Sequence, residues 1–525
     1  MFKDQLIKFK QDVLDKIVNE DEKAYIVGGA CRDMLDNMEI KDIDICTTDK
    51  AGFVDRLMKF CRQNGFFPSL HHMKHADNIR MILPEYLRMS PYGNDMYLEV
   101  EVSDYVKDEE IYGGNRDFLC NAIHWQLGPG KDEQAIQIKG RSAEGSIYKW
   151  DDHMLELVYE DAFKDNPLRI WRCADMMCRP NIQWRPTART SKLASITMDN
   201  IIREDIVGRL NESCTQILNK IIGEMAQGLR DWKYVRNAFN WLMDVGGWYL
   251  IHPRIHDMGH IMHWSKWHKD SIWQHTMDVM GGVDKIIHDQ FTHYNFPINI
   301  SNGLYWAALL HDVGKVEKIS YDEDGTTHFY EHELASCDIA GHILIYTQDQ
   351  NYILKLILYH MDTKMFHDDE IKGKDYRVLR RLLYNIGDEN WVDAWIVLNT
   401  ADCWASLRHN REFPAQKPTI EAIWKILINI DNKLEPNWFK YKEPVTGAEV
   451  QAELHCEPNM IKPYLDQIRS VAMTDPTRMV TKEQALAYNH TLGREWKEKR
   501  MKELEEHKNN RGLKTIETYK KVFRK

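Results

Sequence analysis

Two aspartates near the amino terminus have the residue type and spacing of a cation site. Asp42 and Asp44 open the run from Ile43 to Thr47, which alternates as a strand does. Because successive side chains of a strand point to opposite faces, both carboxylates point to the same face. Neighbouring carboxylates repel each other unless a cation lies between them, and Mg²⁺ commonly joins carboxylates to substrate phosphates. The pair therefore favours phosphoryl or nucleotidyl transfer, although an isolated Asp-x-Asp also occurs in turns and on solvated edges.

A double glycine precedes this pair. The short apolar strand predicted at residues 24–27 runs into Gly28 and Gly29, and residues 30–33 open a predicted helix. A backbone without side chains can approach phosphates closely, and a helix start offers free amides to an anion. Most Gly-Gly pairs are simply turns, but the position just before the aspartates favours a phosphate site.

Composition limits the class of protein. The formal charge of −11 argues against a basic surface that wraps nucleic acid, since phosphate neutralisation dominates such binding. Local patches remain possible, because residues 164–192 carry seven basic side chains against Asp165 and Asp175, and the tail 494–525 is also basic. No apolar run of about 18 residues predicts a membrane span, and residues 1–22 lack the apolar centre of a signal peptide. With ten cysteines in no close paired spacing, we predict a soluble protein of the reducing cytoplasm.

Three ordered motifs resemble one enzyme family. Residues 27–33, VGGACRD, with residues 41–44, KDID, resemble the opening motif of class II tRNA nucleotidyltransferases and bacterial poly(A) polymerases. Residues 116–122, RDFLCNA, resemble their second motif, and residues 163–172, FKDNPLRIWR, resemble the segment that selects the incoming base. The resemblance covers residues 20–410 well. It implies a template-independent enzyme that adds C and A, as CCA or part of it, to the tRNA 3′ end from CTP and ATP.

The resemblance assigns roles to residues of the head. Asp42 and Asp44 would hold two Mg²⁺ ions that activate the RNA 3′-hydroxyl and neutralise the triphosphate. A third carboxylate is often needed, and the predicted strand 97–102 offers Glu99 or Glu101 on one face. The implied nucleotide-binding residues are Gly28, Gly29, Arg32, Asp33, Arg116, Asp117, Asn121, Asn166, Arg169 and Arg172. Within this set, Arg116, Asp117 and Asn121 fall about one helical turn apart, as around one ligand; the alternative is a helix cap with a buried Asn.

The base would be selected by two residues three positions apart. Asn166 and Arg169 are predicted to share one face of a helix. Arg169 could donate to ring acceptors while the Asn166 oxygen accepts from the exocyclic amine that C and A carry. Arg172, another turn along, could stack on or hydrogen-bond the nucleotide. The alternative is a helix whose apolar side packs in the core while its arginines face water.

The sequence departs from its relatives in this segment. Asp165-Asn166 stands where the family usually has Glu-Asp, and an amide can also donate to a carbonyl, which weakens discrimination against U or G. Asn115 replaces a common Arg, and Tyr112 replaces a common Asp. The connection between Glu99 and the second motif is also short beside that of typical CCA-adding members, in which a flexible loop there helps to convert specificity from C to A. The resemblance therefore implies a CC-adding or otherwise restricted enzyme.

A second set of ligand-type residues resembles the HD phosphohydrolase superfamily in its order. The set, called the histidine cluster below, is His275, His311, Asp312, His332, His360 and Asp402. Such ligands suit Mn²⁺, Ni²⁺, Co²⁺, Fe²⁺ or Zn²⁺ and could hold two ions that activate water toward a phosphate ester, with Lys315 neutralising a phosphate oxygen. The His311-Asp312 pair in the predicted apolar helix 304–316 favours a bound metal, because a buried pair of this kind requires a partner. The superfamily resemblance implies phosphatase or 2′,3′-cyclic phosphodiesterase activity, while His328, His342 and His367 are interpreted as structural or surface residues.

The predicted fold class is α+β. A head with a small mixed β-sheet and flanking helices precedes an all-α neck and body and an all-α HD domain. The predicted bounds are 1–148 for the polymerase beta-like head, 149–255 for the helical neck and body, 256–412 for the HD domain and 413–525 for a helical tail. Predicted partners are the 3′ end and upper half of tRNA, together with ATP and CTP, and no membrane. Two alternatives stay open: a poly(A) polymerase on other RNA, and an HD phosphohydrolase with a degenerate RNA-binding head.

Overall fold

The chain divides into two compact units, Met1–His256 and Asp257–Lys525, in a computed structural model. The residues that the structure describes are 3–40, 42–72, 78–83, 98–104, 116–131, 136–138, 152–204, 210–265, 269–288, 296–362, 373–406, 417–454, 458–478 and 481–488. Tyr112, Asn115, His367 and the basic tail 494–525 lie outside these ranges.

The first unit is built on a seven-stranded mixed sheet. Its strands are β1 Ala24–Val27, β2 Asp42–Thr47, β3 Ser69–His72, β4 Ile79–Leu83, β5 Leu98–Asp104, β6 Ile123–Gln126 and β7 Ile136–Ile138. The strand order is β3-β4-β5-β2-β1-β6-β7, and only the central pair β2 and β5 runs parallel. The predicted α+β head with a mixed sheet is confirmed.

Alternate side chains of β2 point to the hydrophobic core on one face and to the candidate cation site on the other. Ile43 and Ile45 are fully buried against residues such as Phe53 and Leu57 of the flanking helix, while Asp42 and Asp44 point to the other face. That helix repeats its apolar residues at helical spacing, and the Asp49 carboxylate caps it by accepting from the Gly52 amide at 3.0 Å. The hydrophobic effect therefore fixes which way the two aspartates face.

The helices of the first unit include both flanking elements of the sheet and a helical region after it. They are α1 Lys3–Phe9, α2 Asp15–Ile17, α3 Gly29–Leu35, α4 Lys50–Gln63, α5 Ala162–Asp165, α6 Leu168–Met177, α7 Ala188–Glu204, α8 Leu210–Ala226, α9 Trp232–Asp244 and, at the boundary, α10 Pro253–Asp257; short strands β8 Met154–Leu155 and β9 Arg185–Pro186 pair with each other. Helix α6 buries Ile170 and Trp171, and the Trp171 indole donates to the Gly247 carbonyl at 3.0 Å.

The second unit is largely helical. Its elements are α11 Ile272–Ile287, α12 Ile298–Leu310, α13 Lys315–Lys318, β10 Ser320–Tyr321, β11 Thr327–His328, α14 His332–Ile343, α15 Gln350–Tyr359, α16 Gly373–Ile386, α17 Glu389–Ala405, α18 Lys417–Asp431, α19 Gly447–Leu454 and α20 Pro458–Thr474. Two glycines let α17 approach closely, because a Cβ on Gly282 would lie 3.0 Å from that of Ala401, and one on Gly303 would lie 2.4 Å from the Trp391 ring. These contacts hold α11 and α12 against α17.

The prediction of one helix over residues 304–316 is wrong at its carboxyl end. Helix α12 ends at Leu310, and a turn containing His311 and Gly314 precedes α13. Gly314, in this turn, lies against the backbone of α14, where a side chain would not fit.

Within the described residues, none of the helices is long and apolar enough to cross a bilayer. The cysteines there are free thiols, and most are buried. Their packing is that of small apolar side chains.

Candidate functional site

Four carboxylates lie on one face at the parallel junction of the head sheet. Strand register places Asp42 beside Glu99 and Asp44 beside Glu101. Burial raises the pKa of Asp44 to about 6, and the negative charges of Asp42 and Glu101 add to the effect while Arg116 opposes it. A bound cation would reduce the repulsion among these carboxylates and stabilise the ionised form of Asp44. The four oxygen ligands therefore fit Mg²⁺.

Glu101 is held more firmly than Glu99. The Asn78 amide donates to Glu101 at 2.7 Å, and the two Nη atoms of Arg80 lie 3.5 Å from Glu99 and 3.5 Å from Glu101. Asp44 is also the direct register partner of Glu101. The geometry therefore favours Glu101 as the third carboxylate.

The double glycine faces this carboxylate group. Gly28 has φ +72°, and a Cβ there would lie 2.9 Å from Nη1 of Arg116 and 3.5 Å from Oδ2 of Asp44. A Cβ on Gly29 would lie 3.5 Å from Nη2 of Arg32. The Gly28 amide already donates to the Ile123 carbonyl at 3.0 Å, and α3 spans only seven residues. The phosphate-binding potential of this corner therefore comes from the two arginines.

The second motif divides into two groups. Arg116 lies against Gly28 and Asp44, whereas Asp117 and Asn121 are buried and bonded to each other at 2.8 Å. Asn121 also accepts from Nη1 of Arg32, and it ends a short 3₁₀ helix, Leu119–Asn121. Of the three residues predicted to surround one ligand, Arg116 alone lies at the carboxylates. Asn121 matches the alternative, a buried Asn with a structural role.

Arg172 connects α6 to this network. Its Nε atom lies 2.9 Å from Oδ2 of Asp117, whose side chain is 3% exposed. The ion pair fixes helix α6, which carries Arg169, relative to the second motif. Arg172 keeps more than half of its side chain exposed, so it can also meet a ligand.

The prediction that Asn166 and Arg169 share a helix face is wrong. Asn166 is extended, with φ −148° and ψ 94°, and ends α5; α6 begins at Leu168 because Pro167 interrupts the helical hydrogen bonding. The Asn166 oxygen accepts from the Leu168 amide at 3.1 Å and so closes a turn just before α6. If Asn166 contacts a base, it must do so from the connection between α5 and α6.

Arg169 is held by a residue that the motifs did not single out. Its Nη1 donates to the Tyr159 hydroxyl at 2.7 Å and to the Ala162 carbonyl at 3.0 Å. The guanidinium also lies 5.6 Å from the centre of the Tyr159 ring. Arg169 is buried, which contradicts a solvated arginine face. Tyr159 precedes the third motif in the sequence, and only the fold shows that its hydroxyl contacts Arg169.

The second unit brings all six residues of the histidine cluster together. Two groups of three have ligand atoms within 4.8 Å of one another: His275, His311 and Asp402, and Asp312, His332 and His360. Asp312 joins them, because Oδ2 lies 3.3 Å from Nε2 of His311 and Oδ1 lies 3.2 Å from Nε2 of His332. Every member is buried.

Three imidazoles of the cluster have a defined orientation. Nδ1 of His311, His332 and His360 faces the carbonyl three residues earlier at 2.9, 2.7 and 2.6 Å, respectively. A carbonyl only accepts, so each Nδ1 carries a proton and Nε2 is the atom of each ring left to bind a metal ion. The Nε2 atoms of His332 and His360 lie 3.3 Å apart, and two such ligand atoms are brought together favourably by a cation. The donor set therefore fits transition-metal ions.

Burial and neighbouring charges act in opposite directions on the pKa values of two cluster residues, His275 and Asp312. Burial lowers the pKa of His275 although Asp402 opposes the shift. For Asp312, burial alone would raise the pKa, but His311 and Lys315 outweigh it and hold the pKa well below its usual range. Lys315 Nζ lies 2.6 Å from Oδ2 of Asp312. Lys315, which is predicted to contact a phosphate, therefore forms an ion pair with Asp312, a candidate metal ligand.

His263 is a wall residue that the sequence did not reveal. Its ring packs edge-on against Phe329 at 4.9 Å and lies 6.4 Å from the ring of His275. Burial and the nearby charge of Lys315 lower the pKa of His263 to about 2, so the ring is neutral. No motif marks this histidine among the many in the chain, and its contact depends on folding alone.

Sequence comparison identifies two regions. Residues 24–137 match the family described as "Poly A polymerase head domain", and residues 297–385 match the one described as "HD domain". The first range contains the head residues from Gly28 to Asn121, and the second contains His311, Asp312, His332 and His360. His275 and Asp402 lie outside the second range but complete the cluster in space.

Solved structures with similarity over most of the chain have low sequence identity. A CCA-adding enzyme with CTP is 13% identical, with 93% of this chain and 94% of that chain covered and a TM-score of 0.49. The Thermotoga maritima CCA-adding enzyme complexed with tRNA is 15% identical, with coverages of 92% and 93% and a TM-score of 0.44. A tRNA nucleotidyltransferase with a primer tRNA and an ATP analogue is 15% identical, with coverages of 78% and 97% and a TM-score of 0.42.

Proposed function

We propose that this chain, which joins a head matching poly(A) polymerases to an HD domain, adds C and A from CTP and ATP to the 3′ end of tRNA. The observation that carries the proposal is the position of Asp44 beside Gly28 and Arg116, on the face shared with Asp42 and Glu101. Acidic ligands next to a bare backbone and an arginine form a site for a metal-bound triphosphate.

The head residues divide the work of nucleotidyl transfer. Asp42, Asp44 and Glu101 would hold Mg²⁺, which when bound activates the attacking hydroxyl and neutralises the triphosphate. Arg116 and Arg32 lie at the double glycine, where their guanidinium groups bind phosphate oxygens. The chain thus supplies orientation and positive charge, which are the main requirements of phosphoryl transfer chemistry.

Base selection in this proposal rests on Arg169. Tyr159 and the Ala162 carbonyl orient its guanidinium, and Arg172 fixes the same helix to the head. Asn166 offers a weaker criterion than a carboxylate because an amide both donates and accepts. We therefore propose weakened discrimination against U and G at this position. The short connection between Glu99 and the second motif separately favours addition of C over addition of A.

Product sequencing tests the transferase. Purified protein is incubated with Mg²⁺, all four nucleotides and tRNAs that end before CCA, after C or after CC, and the 3′ ends are sequenced. Added C, or C and A, supports the proposal, whereas A tracts on unrelated RNA would assign a poly(A) polymerase. Asp42→Ala should abolish extension while Asp55→Ala, an exposed aspartate of the same head, should not. An active Asp42→Ala protein would contradict the site.

We also propose that the histidine cluster is a metal-dependent phosphohydrolase centre. Its support is the pair of buried three-ligand groups that share the Asp312 carboxylate. Two ions bound there would activate water for attack on a phosphate ester. With a transferase in the same chain, a suitable substrate is an RNA end that carries a 2′,3′-cyclic phosphate.

Hydrolysis of 2′,3′-cAMP tests the second activity. The protein is loaded with Mn²⁺, Ni²⁺, Co²⁺ or Fe²⁺, and formation of 2′- or 3′-AMP and of free phosphate is measured. His311→Ala should remove the activity, while the exposed His342→Ala should retain it. Absence of turnover with every metal, in folded protein, would leave the cluster without this function.

The remaining predictions are part of the same proposal. We infer a head at 1–148, a neck and body at 149–255, an HD domain at 256–412 and a tail at 413–525 that contacts tRNA. We place the enzyme in the cytoplasm, where tRNA and nucleotides are present together. Limited proteolysis that cuts near residues 148, 255 and 412 would support these bounds, and cuts inside them alone would not.

A further inference from the structure

Arg179 lies just beyond α6 and pairs with a residue of the proposed nucleotide site. Its Nη2 atom lies 2.7 Å from Oδ1 of Asp33, and their side chains are 17% and 12% exposed. Its Nη1 atom lies 3.8 Å from the sulfur of Met176 at the end of the same helix. None of the sequence motifs includes Arg179, so its role comes from the fold.

The Asp33 carboxylate is shared between two arginines. Nε of Arg32 donates to the same Oδ1 atom at 2.8 Å, and Nη1 of Arg32 donates to Asn121. The Nη2 atom of Arg32 lies toward Gly29. Arg32 is therefore fixed on two sides, and its third nitrogen lies at the double glycine.

This arrangement leaves positive charge at the glycines. Two guanidinium groups, from Arg32 and Arg179, contact one carboxylate, so the trio carries a net charge of about +1. Without Arg179, Asp33 would neutralise Arg32 alone, and an incoming triphosphate would meet a neutral ion pair. The difference matters because charges in a largely buried site interact more strongly than charges in water.

We propose that Arg179 is a positioning residue for the nucleotide triphosphate, acting by sharing Asp33 so that net positive charge remains at Gly29 and Arg32 keeps its orientation there. The inference rests on the proposed transferase function and adds a further residue to its phosphate-binding site. Arg179 itself contacts Asp33 rather than the nucleotide. Its effect should depend on the number of phosphates and be independent of the base.

Nucleotide affinity and kinetics of Arg179→Gln test the proposal. Calorimetry with Mg²⁺ and no RNA should show about tenfold weaker binding of CTP and ATP alike, and less than twofold weaker binding of CMP. In tRNA extension, KM for CTP should rise about tenfold with kcat within twofold of the wild type. Arg179→Lys keeps the charge and should recover most of the affinity. The control is Arg62→Gln, which removes an exposed arginine of α4 and should change nothing.

Other results would overturn the proposal. Equal loss for CMP and CTP, unchanged CTP affinity, or a fall in kcat alone would each assign Arg179 a purely structural role or none. Thermal unfolding of each variant identifies a protein that has failed to fold. If Arg179→Gln fails to fold, the CTP and CMP affinities of Arg179→Lys decide the role of Arg179. If the wild type binds CTP but extends no RNA, the transferase proposal fails while the affinities still judge Arg179. If the wild type binds no CTP, both are wrong.

Discussion

Asp44 on β2 and Glu101 on β5 are direct neighbours across the parallel junction of the head sheet, so their carboxylates lie on one face. The pair explains why the pKa of Asp44 is raised, since burial and neighbouring negative charge both favour its neutral form. The Asn78 amide, which donates to Glu101 at 2.7 Å, distinguishes Glu101 from Glu99, which the sequence leaves equivalent. The distinction leads to the first prediction.

Glu101→Gln should impair Mg²⁺-dependent extension more than Glu99→Gln. Removal of the charge next to Asp44 should reduce kcat/KM about 10- to 100-fold and raise the Mg²⁺ concentration for half-maximal activity. Glu99→Gln is the matched control on the same strand, with an expected change below about threefold. A titration of activity against Mg²⁺ for both variants checks this. The reverse ranking would assign Glu99 as the third ligand.

Tyr159→Phe should alter nucleotide choice. The variant keeps the ring beneath Arg169 but removes the hydroxyl that accepts from Nη1 at 2.7 Å. A lost hydrogen bond to a charged donor corresponds to about 1.5–3 kcal/mol, or roughly tenfold or more in kcat/KM. The ratio of kcat/KM for CTP to that for ATP and UTP is the measurement. Tyr234→Phe, in helix α9, should leave the ratio unchanged.

His332→Ala should halve the bound metal. His332 belongs to only one of the two three-ligand groups, whereas Asp312 lies between them. Loss of one imidazole from a three-ligand group removes most of its affinity, since ligand number decides whether a site binds. Elemental analysis after dialysis should give about one ion per chain instead of about two. Equal metal content in His332→Ala and His342→Ala would argue against a two-ion centre.

Gly314→Ala should destabilise the second unit. A Cβ at this position would lie 2.3 Å from the His332 carbonyl oxygen and 2.3 Å from the Ser336 amide nitrogen. Backbone atoms cannot move aside cheaply, so a cost at or above about 3 kcal/mol is expected, together with loss of metal. Gly341→Ala is the control, because nothing lies within 4 Å and alanine is favoured in a helix by about 0.5–1 kcal/mol. Denaturant unfolding measures both, and equal stability would contradict the close approach.

Asp393→Asn should stabilise the second unit at neutral pH but not in acid. Burial, with a smaller contribution from Glu389, raises the pKa of Asp393 to about 6 from the ordinary value of 3.8. A raised carboxyl pKa means that the folded state holds the proton, so stability falls as pH rises from about 4 to about 6. The variant lacks this loss, and its advantage should disappear below pH of about 4. Unfolding at pH 4, 5, 6 and 7 checks the trend, with the exposed Asp338→Asn as control.

Local patterns in the sequence predicted much of the fold and most of the candidate ligands. Alternation around Asp42 and Asp44 predicted a strand with both carboxylates on one face, and β2 confirms it. The order of His275, His311, Asp312, His332, His360 and Asp402 indicated a metal centre, and the six side chains do converge. The strand and the candidate ligands could be predicted because strand periodicity and ligand chemistry are properties of residue type and spacing.

The tertiary structure alone decided which distant residues meet. Pro167 separates Asn166 from the helix of Arg169, and a turn at Gly314 ends α12 early, so two predicted helices were wrong. The amide of Asn78, just before β4, distinguished Glu101 from Glu99, and Arg179 contacts Asp33 across more than a hundred residues. Strand register and helix packing place these partners, and both depend on burial of the whole core rather than on any local pattern.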